Sequence, residues 1–390
     1  MGIEGSIALD IHWDGAAIRR AVVRSSRPVT ACRLLEGKGW RDAEAMVSML
    51  FGICGRAQTV CAAGALEAAR GVEPDPAVRL QRELRLAAEC LHEYAWRILL
   101  DLPQMLGEEA EAGRFAALRQ SLRPLFERTD SGERWWHAPA DGAVLEGWRA
   151  AAAGLSRQLD QDVFGMPASR WLELDYGAPL TAWIEAGTTR TAALLGRLLP
   201  LSLGRSAVPL LPVLDVRKLA ASLSPQIAGD AGFAAAPTWR GAPAETGALA
   251  RTAAHPLVAG ALRQLGNSVA VRFLARLVEL AMLDARLAAL GRGEVPTEWT
   301  GSCAVSPGAG FAATETARGT LFHLARVEGE RVAAYRIVAP TEWNFHPEGA
   351  LARGLAGHAA KTPGEAERAA RLLAHALDPC VGFDIKVIAV

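Results

Sequence analysis

Residues 362–390 are the stretch whose local chemistry leaves the chain the fewest choices. Thr362-Pro363-Gly364-Glu365 reads as a helix start, with Thr362 as N-cap, Pro363 as first helical residue and Glu365 reaching back to complete a capping box. Pro379 ends that helix near Leu377 or Asp378, because its ring clashes with the preceding turn and it has no N–H to donate. Beyond it, Ile385-Lys386-Val387-Ile388-Ala389-Val390 reads as a buried, strand-like end and not as a frayed tail. Cys380 is thus pinned between a helix end and a strand. Alone, a small thiol in such a place is ordinary core filling. A second thiol in matching surroundings changes that reading.

Cys54 is that second thiol. Residues 41–51 read as a helix running into Gly52-Ile53-Cys54-Gly55, where two glycines allow a tight break, and another helix follows from about Ala57 to Arg70. At a helix N-terminus the free N–H groups and the dipole favour thiolate over thiol. Cys61 lies close to two turns further on, in reach of the same helix face. With Cys32, Cys90 and Cys303 these are six cysteines in 390 residues, too sparse for a secreted disulfide scaffold and consistent with a reducing compartment.

The rest of the chain supplies the frame. Ile7, Leu9, Ile11 and Trp13 alternate with polar or small residues, Asp14-Gly15 makes a turn, and residues 18–23 return, which predicts a β-hairpin. Helices are expected over 78–100, ending near Pro103, and over 108–126 and 142–164. Trp135-Trp136-His137-Ala138-Pro139 reads as a packing or partner surface. Prolines and glycines interrupt residues 167–256, leaving short helices near 189–199 and 216–223. Pro256 opens a helix to about Leu290, with Leu262, Leu265, Val269, Phe273, Leu277 and Leu280 at helical spacing. Residues 296–311 read as a loop in which Cys303 is incidental. A second hairpin follows, strands 320–327 and 331–338 about Glu328-Gly329-Glu330, and then a long turn over 339–349.

The fold class is therefore α+β, mainly α. We read residues 1–390 as one large unit: hairpin 3–24, helical core 41–290, hairpin and helix 315–390. A 51% hydrophobic content suffices for a large core. With 42 basic and 42 acidic residues and no dense basic run, nucleic acid is not an expected partner. Charged residues or prolines interrupt every apolar stretch of membrane-spanning length, and no signal peptide is visible, so the expectation is a cytoplasmic protein with no membrane partner.

Taken together, Ile3-Glu4-Gly5, Gly52-Ile53-Cys54-Gly55-Arg56-Ala57 with Cys61, Ala317-Arg318-Gly319, Ala339-Pro340-Thr341-Glu342-Trp343-Asn344 and Asp378-Pro379-Cys380-Val381-Gly382-Phe383 follow one another in an order that resembles the large subunit of nickel-iron hydrogenases. In that family two Cys-x-x-Cys pairs hold nickel, and the second member of each pair bridges to an iron carrying cyanide and carbon monoxide. Here the first members are kept as Cys54 and Cys380, and the second members are Ala57 and Phe383. Lys386 stands in the slot of the histidine after which the family's precursor is cut, and Cys61 stands in another histidine slot.

These departures are similar to the hydrogenase assembly proteins of the HupK/HoxV type. The resemblance implies a scaffold that transiently holds an Fe(CN)2(CO) fragment between Cys54 and Cys380, with no nickel, and passes it towards a hydrogenase large-subunit precursor. Hydrogenase maturation chaperones are the implied donors. Soft thiolates suit such iron. Arg318, matching the family arginine over the metals, is implied as a charge-assisted donor to cyanide, and Glu4 matches the family's early glutamate near the metals. Hydrogenase activity is not expected without bridging thiolates. Two other readings stand beside this one: a metal-free interaction protein on the same fold, and a degenerate metal enzyme recruiting Cys61 or Cys303.

Overall fold

The computed structural model describes residues 5–51, 54–127, 134–213 and 215–390. Glu4, Ile3 and the Gly52-Ile53 pair of the first cysteine motif lie outside the described residues. The architecture is α+β and mainly helical, with two small sheets.

The N-terminal hairpin forms as its alternation dictates: β1 (Ile7–Trp13) pairs antiparallel with β2 (Ile18–Ser25). Gly15 takes the positive φ of the turn, and Asp14 Oδ1 accepts from the Ala16 and Ala17 N–H groups at 3.0 and 2.8 Å. The second sheet has four antiparallel strands, β3 (Thr300–Ser306), β4 (Ala309–Thr316), β5 (Gly319–Glu328) and β6 (Arg331–Val338), in that order. The last strand, β7 (Phe383–Ala389), joins β1 in parallel, Ile7 opposite Phe383 and Leu9 opposite Ile385, giving the order β2-β1-β7. The first and last strands of the chain are therefore neighbours. Ile7, Leu9 and Ile11 are fully buried against Leu373, Leu377 and Cys380.

Four local expectations are corrected. The loop predicted over 296–311 is the strand pair β3 and β4, so the hairpin around 320–338 is half of a larger sheet. Its small residues face a helix: α2 (Gly55–Arg70) lies across β4, and a Cβ at Gly310 would overlap the Ala65 carbonyl oxygen and the Ala69 nitrogen. The helix predicted from Pro256 to Leu290 is two, Pro256–Leu265 and Val269–Gly291. Gly266 takes φ +57° at the break, and Asn267 anchors it by accepting from Ser206 N at 2.7 Å and donating to Glu245 at 3.1 Å. Apolar periodicity continues across this break and hides it. The helix α3 (Pro76–Trp96) does not stop before Pro103 but widens into a π turn at Arg97–Asp101 and continues through Leu102–Met105. Finally, β7 is a half-exposed edge strand and not a buried one.

The turn predicted over 339–349 contains a short helix, Pro340–Asn344, and the helix predicted over 216–223 runs on to Gly229; the other expectations hold to within a few residues. α1 (Trp40–Leu50) leads to α2, and Ala112–Glu127 and Gly142–Leu159 are helical. Trp135 and Trp136 are buried as packing residues, with the Trp136 carbonyl accepting from Arg82 Nε at 2.8 Å. Thr362 caps the Pro363–Leu377 helix through Oγ1, which accepts from Glu365 N at 3.2 Å, and Glu365 reaches back to the N–H of Lys361 at 2.6 Å.

The tight seat of α2 on β4 gives a direct test. Gly310→Ala should destabilise the chain by about 3 kcal/mol, since the added methyl meets backbone and not a movable side chain. Gly64→Ala, at the same interface but with ordinary 3.4 Å contacts to Ala312 and Ser302, should change stability by less than about 1 kcal/mol. Urea unfolding of the two variants checks the pair.

Candidate metal-fragment site

Cys54 is the N-cap residue of α2, and Cys380 follows the end of the Pro363–Leu377 helix. The two thiols come from opposite ends of the chain and line one cavity, walled also by Arg27, Val29, Leu50, Phe51 and Glu342. Their ionisations interact: negative charge on Cys380 raises the pKa of Cys54.

Each thiol has its own setting. Cys380 is buried, and its Sγ accepts from Arg27 Nη1 at 2.7 Å and from Thr341 Oγ1 at 3.1 Å. Arg27 Nε also donates to Glu342 Oε1 at 2.6 Å. Against the lowering effect of burial, the charges of Glu342, Cys380 and Cys54 hold the Arg27 guanidinium above its ordinary range. The backbone explains why Arg27 arrives there. Ser26 N–H donates to Ser6 O at 2.9 Å, and Ile7 N–H donates to Gly382 O at 3.1 Å, so the end of β2 and the start of β7 flank the same strand.

Cys54 departs from the sequence expectation of a thiolate-favouring helix end. The N–H groups of Arg56 and Ala57, which would have stabilised a thiolate, donate instead to the buried carboxylate of Glu89 on α3, at 3.2 and 3.0 Å. Enclosure by protein, then negative charge on Cys380 and Glu89, pushes the Cys54 thiol up to about 12, with Arg318 and Gln58 opposing. Ala57 itself is fully buried in core packing.

Gln58 Nε2 stands 3.7 Å from Cys54 Sγ, and its orientation is fixed from behind. His323 Nε2 meets Gln58 Oε1 at 2.9 Å, and His323 Nδ1 meets the Tyr335 hydroxyl at 2.7 Å. Burial lowers His323 to about 3, so its ring is neutral. A carbonyl oxygen can only accept, which assigns the proton to Nε2 and leaves Nδ1 to accept from Tyr335. The chain Tyr335–His323–Gln58 thereby aims an amide donor at the Cys54 sulfur.

Arg318 lies behind the thiols. Its Nη2 donates to Glu93 at 2.6 Å and its Nε faces Asp378 at 3.5 Å. Burial works to lower its pKa, and Asp378, Glu93, Cys380 and Cys54 outweigh burial and raise it. Asn344 holds this corner by donating to the carbonyls of Arg318 and Leu377 at 3.1 and 3.2 Å. Phe383 turns from the cavity to pack edge-on against His375, with ring centroids 5.3 Å apart. Cys61 bonds to the carbonyls of Ala312 and Leu321, each at 3.6 Å, and Cys303 sits on β3 opposite Phe311; neither lines the cavity. The cavity thus brings Cys54 and Cys380 together and has Arg318 within electrostatic reach. Arg27, Gln58, Thr341 and Glu342 carry no assigned role in the sequence reading. Thr341 and Glu342 lie inside a quoted motif, and Arg27 offers only its place before Pro28.

A family model described as nickel-dependent hydrogenase matches residues 224–385. Hydrogenase expression/formation protein HoxV of Cupriavidus necator is 32% identical, covering 93% of this chain and 92% of its own length. HupK of Rhizobium leguminosarum bv. viciae, likewise a hydrogenase expression/formation protein, is 32% identical over 98% of this chain and 96% of its own. Among solved structures, the reduced, active Ni-Fe-Se hydrogenase of Desulfomicrobium baculatum superposes with a TM-score of 0.67 at 15% identity, covering 95% of each chain. That likeness is one of fold.

The neutral, buried His323 predicts an acid-sensitive contribution to stability. Its folded pKa is depressed, so its stabilising contribution is complete above the unfolded value of 6.5 and is lost as pH falls towards about 3. The slope reaches about 1.4 kcal/mol per pH unit. Glu83, raised to about 7 chiefly by burial, acts in the opposite sense, gaining stability as pH falls through the same window. The difference between wild type and His323→Gln, followed by urea unfolding from pH 7 to 4, isolates the histidine and should shrink steadily with acidification.

Proposed function

The chain belongs to the HoxV/HupK family of hydrogenase expression/formation proteins, and from that premise we propose that it is a maturation scaffold whose cargo is an Fe(CN)2(CO) fragment. The cargo is held between Cys54 and Cys380 and passed towards the large-subunit precursor of a nickel-iron hydrogenase. One observation carries this reading: two thiols from opposite ends of the chain line a single cavity and feel each other's charge.

The donor set supports it. Thiolates are soft ligands suited to iron bearing strong-field diatomics. In this reading the two sulfurs and the diatomics make up the iron's coordination. The slots of the bridging thiolates hold Ala57, buried in the core, and Phe383, turned towards His375, so in this reading a nickel-iron pair lacks its two bridging ligands and no hydrogenase chemistry is expected. Loading removes a proton from Cys54, whose thiol is held near 12, so binding is coupled to proton release and unloading to its return. Arg318 supplies positive charge from behind the pair. The partners in this reading are the maturation chaperones that load the fragment and the precursor that receives it. Among the described residues no helix is long and apolar enough to cross a membrane.

Infrared spectra of the chain purified anaerobically from cells making the maturation machinery should show cyanide and carbonyl stretches. Cys54→Ser and Cys380→Ser should each lose them. Bands absent from wild type, with hydrogenase assembly intact in the double variant, would instead favour a metal-free interaction protein.

A further inference from the structure

Two thiolates holding a neutral Fe(CN)2(CO) fragment enclose two negative charges, and burying uncompensated charge is costly. The cavity must supply cations within hydrogen-bonding reach. Arg318 does not line it, and two of its nitrogens are directed at Glu93 and Asp378. Arg27 does line it, with a side chain only 10% exposed. Its Nε is held by Glu342 and its Nη1 by Cys380 Sγ, and among the described residues its Nη2 makes no hydrogen bond. Pro28 confines Arg27 to extended backbone, and Ser26 is locked to Ser6, so the guanidinium is presented from a fixed strand end. Glu342 is buried too, and its Oε2 has no partner among the described residues. The carboxylate thus steers the guanidinium through one oxygen.

We propose that Arg27, steered by Glu342, makes the cavity selective for anionic ligands, so that the cargo is recognised through its cyanides and not through its metal alone. The proposal rests on the clamp reading of Cys54 and Cys380. Arg27 is the specificity-determining cation, and the neutral carbon monoxide gains nothing from it.

Selectivity can be read in the metal-free chain by alkylating Cys380 with iodoacetate, an anion, or iodoacetamide, its neutral counterpart, and quantifying the modified peptide by mass spectrometry. The ratio of the two rates cancels the thiolate fraction and reports the charge of the cavity. Arg27→Gln should lower the ratio at least about threefold, Arg27→Lys should retain most of it, and salt should reduce the wild-type value. Glu342→Gln, which leaves Arg27 without its counter-charge, should raise it, so that the two sites move the ratio in opposite directions whatever either does to stability. An unchanged ratio in Arg27→Gln, or a Cys380 closed to both reagents in a cavity that must admit a larger cargo, would overturn the proposal. In loaded protein the cyanide stretches should shift in Arg27→Gln while the carbonyl stretch moves less. Wild type without such bands would sink the carrier reading, leaving the alkylation ratio to judge Arg27 on its own.

Discussion

Asp378 is a carboxylate with almost no access to water, surrounded by three arginines from three parts of the chain. Arg97 of the π turn donates to it at 2.7 Å, Arg318 of the β4–β5 turn approaches to 3.5 Å, and Arg276 of the Val269–Gly291 helix to 3.9 Å. Burial pushes its pKa up, and Arg97, Arg318 and Arg276 outweigh burial and hold it below the ordinary range. Such a cluster contributes little net stability, because desolvation offsets the attraction, but it specifies geometry. Asp378 is also the last helix residue's C-cap, at φ +56°, a conformation in which its side chain and the direction of the following chain are fixed together. The course of Pro379-Cys380 into the cavity follows from that one anchored residue, and the pairing of β7 with β1 secures the far side.

The two thiols so assembled are unequal. Cys380 accepts hydrogen bonds from Arg27 and Thr341, whereas Cys54 sits at a helix end whose N–H groups are already committed to Glu89. In the proposed scaffold this asymmetry suits temporary custody. Cys54 must give up a proton to bind and can be recovered by reprotonation. A permanent site is better served by two bridging thiolates, and the chain has an alanine packed into the core at one of those positions.

Much of this was legible in the sequence, for reasons that can be named. Capping residues, the Asp14-Gly15 turn and the Pro379 stop are local chemistry, and each appears where expected. The pair Cys54 and Cys380 was legible through family resemblance and not through spacing. What escaped the sequence is non-local. The strands β3 and β4 are written in glycine, serine and alanine because α2 lies against them, and small residues look like loop until the helix is in place. The break at Gly266 is masked by unbroken apolar periodicity. The high pKa of Cys54 depends on Glu89, a residue of another helix, and Arg27 reaches Cys380 only because the two ends of the chain share one sheet.

The central claim is that Cys54 and Cys380 ligate one iron together. X-ray absorption at the iron edge of the loaded chain tests it most directly, because the first coordination shell counts sulfurs without reference to activity. Two sulfur scatterers alongside the carbon scatterers of the diatomics are predicted. A shell with one sulfur or none, in a chain that still carries iron, would contradict the shared clamp.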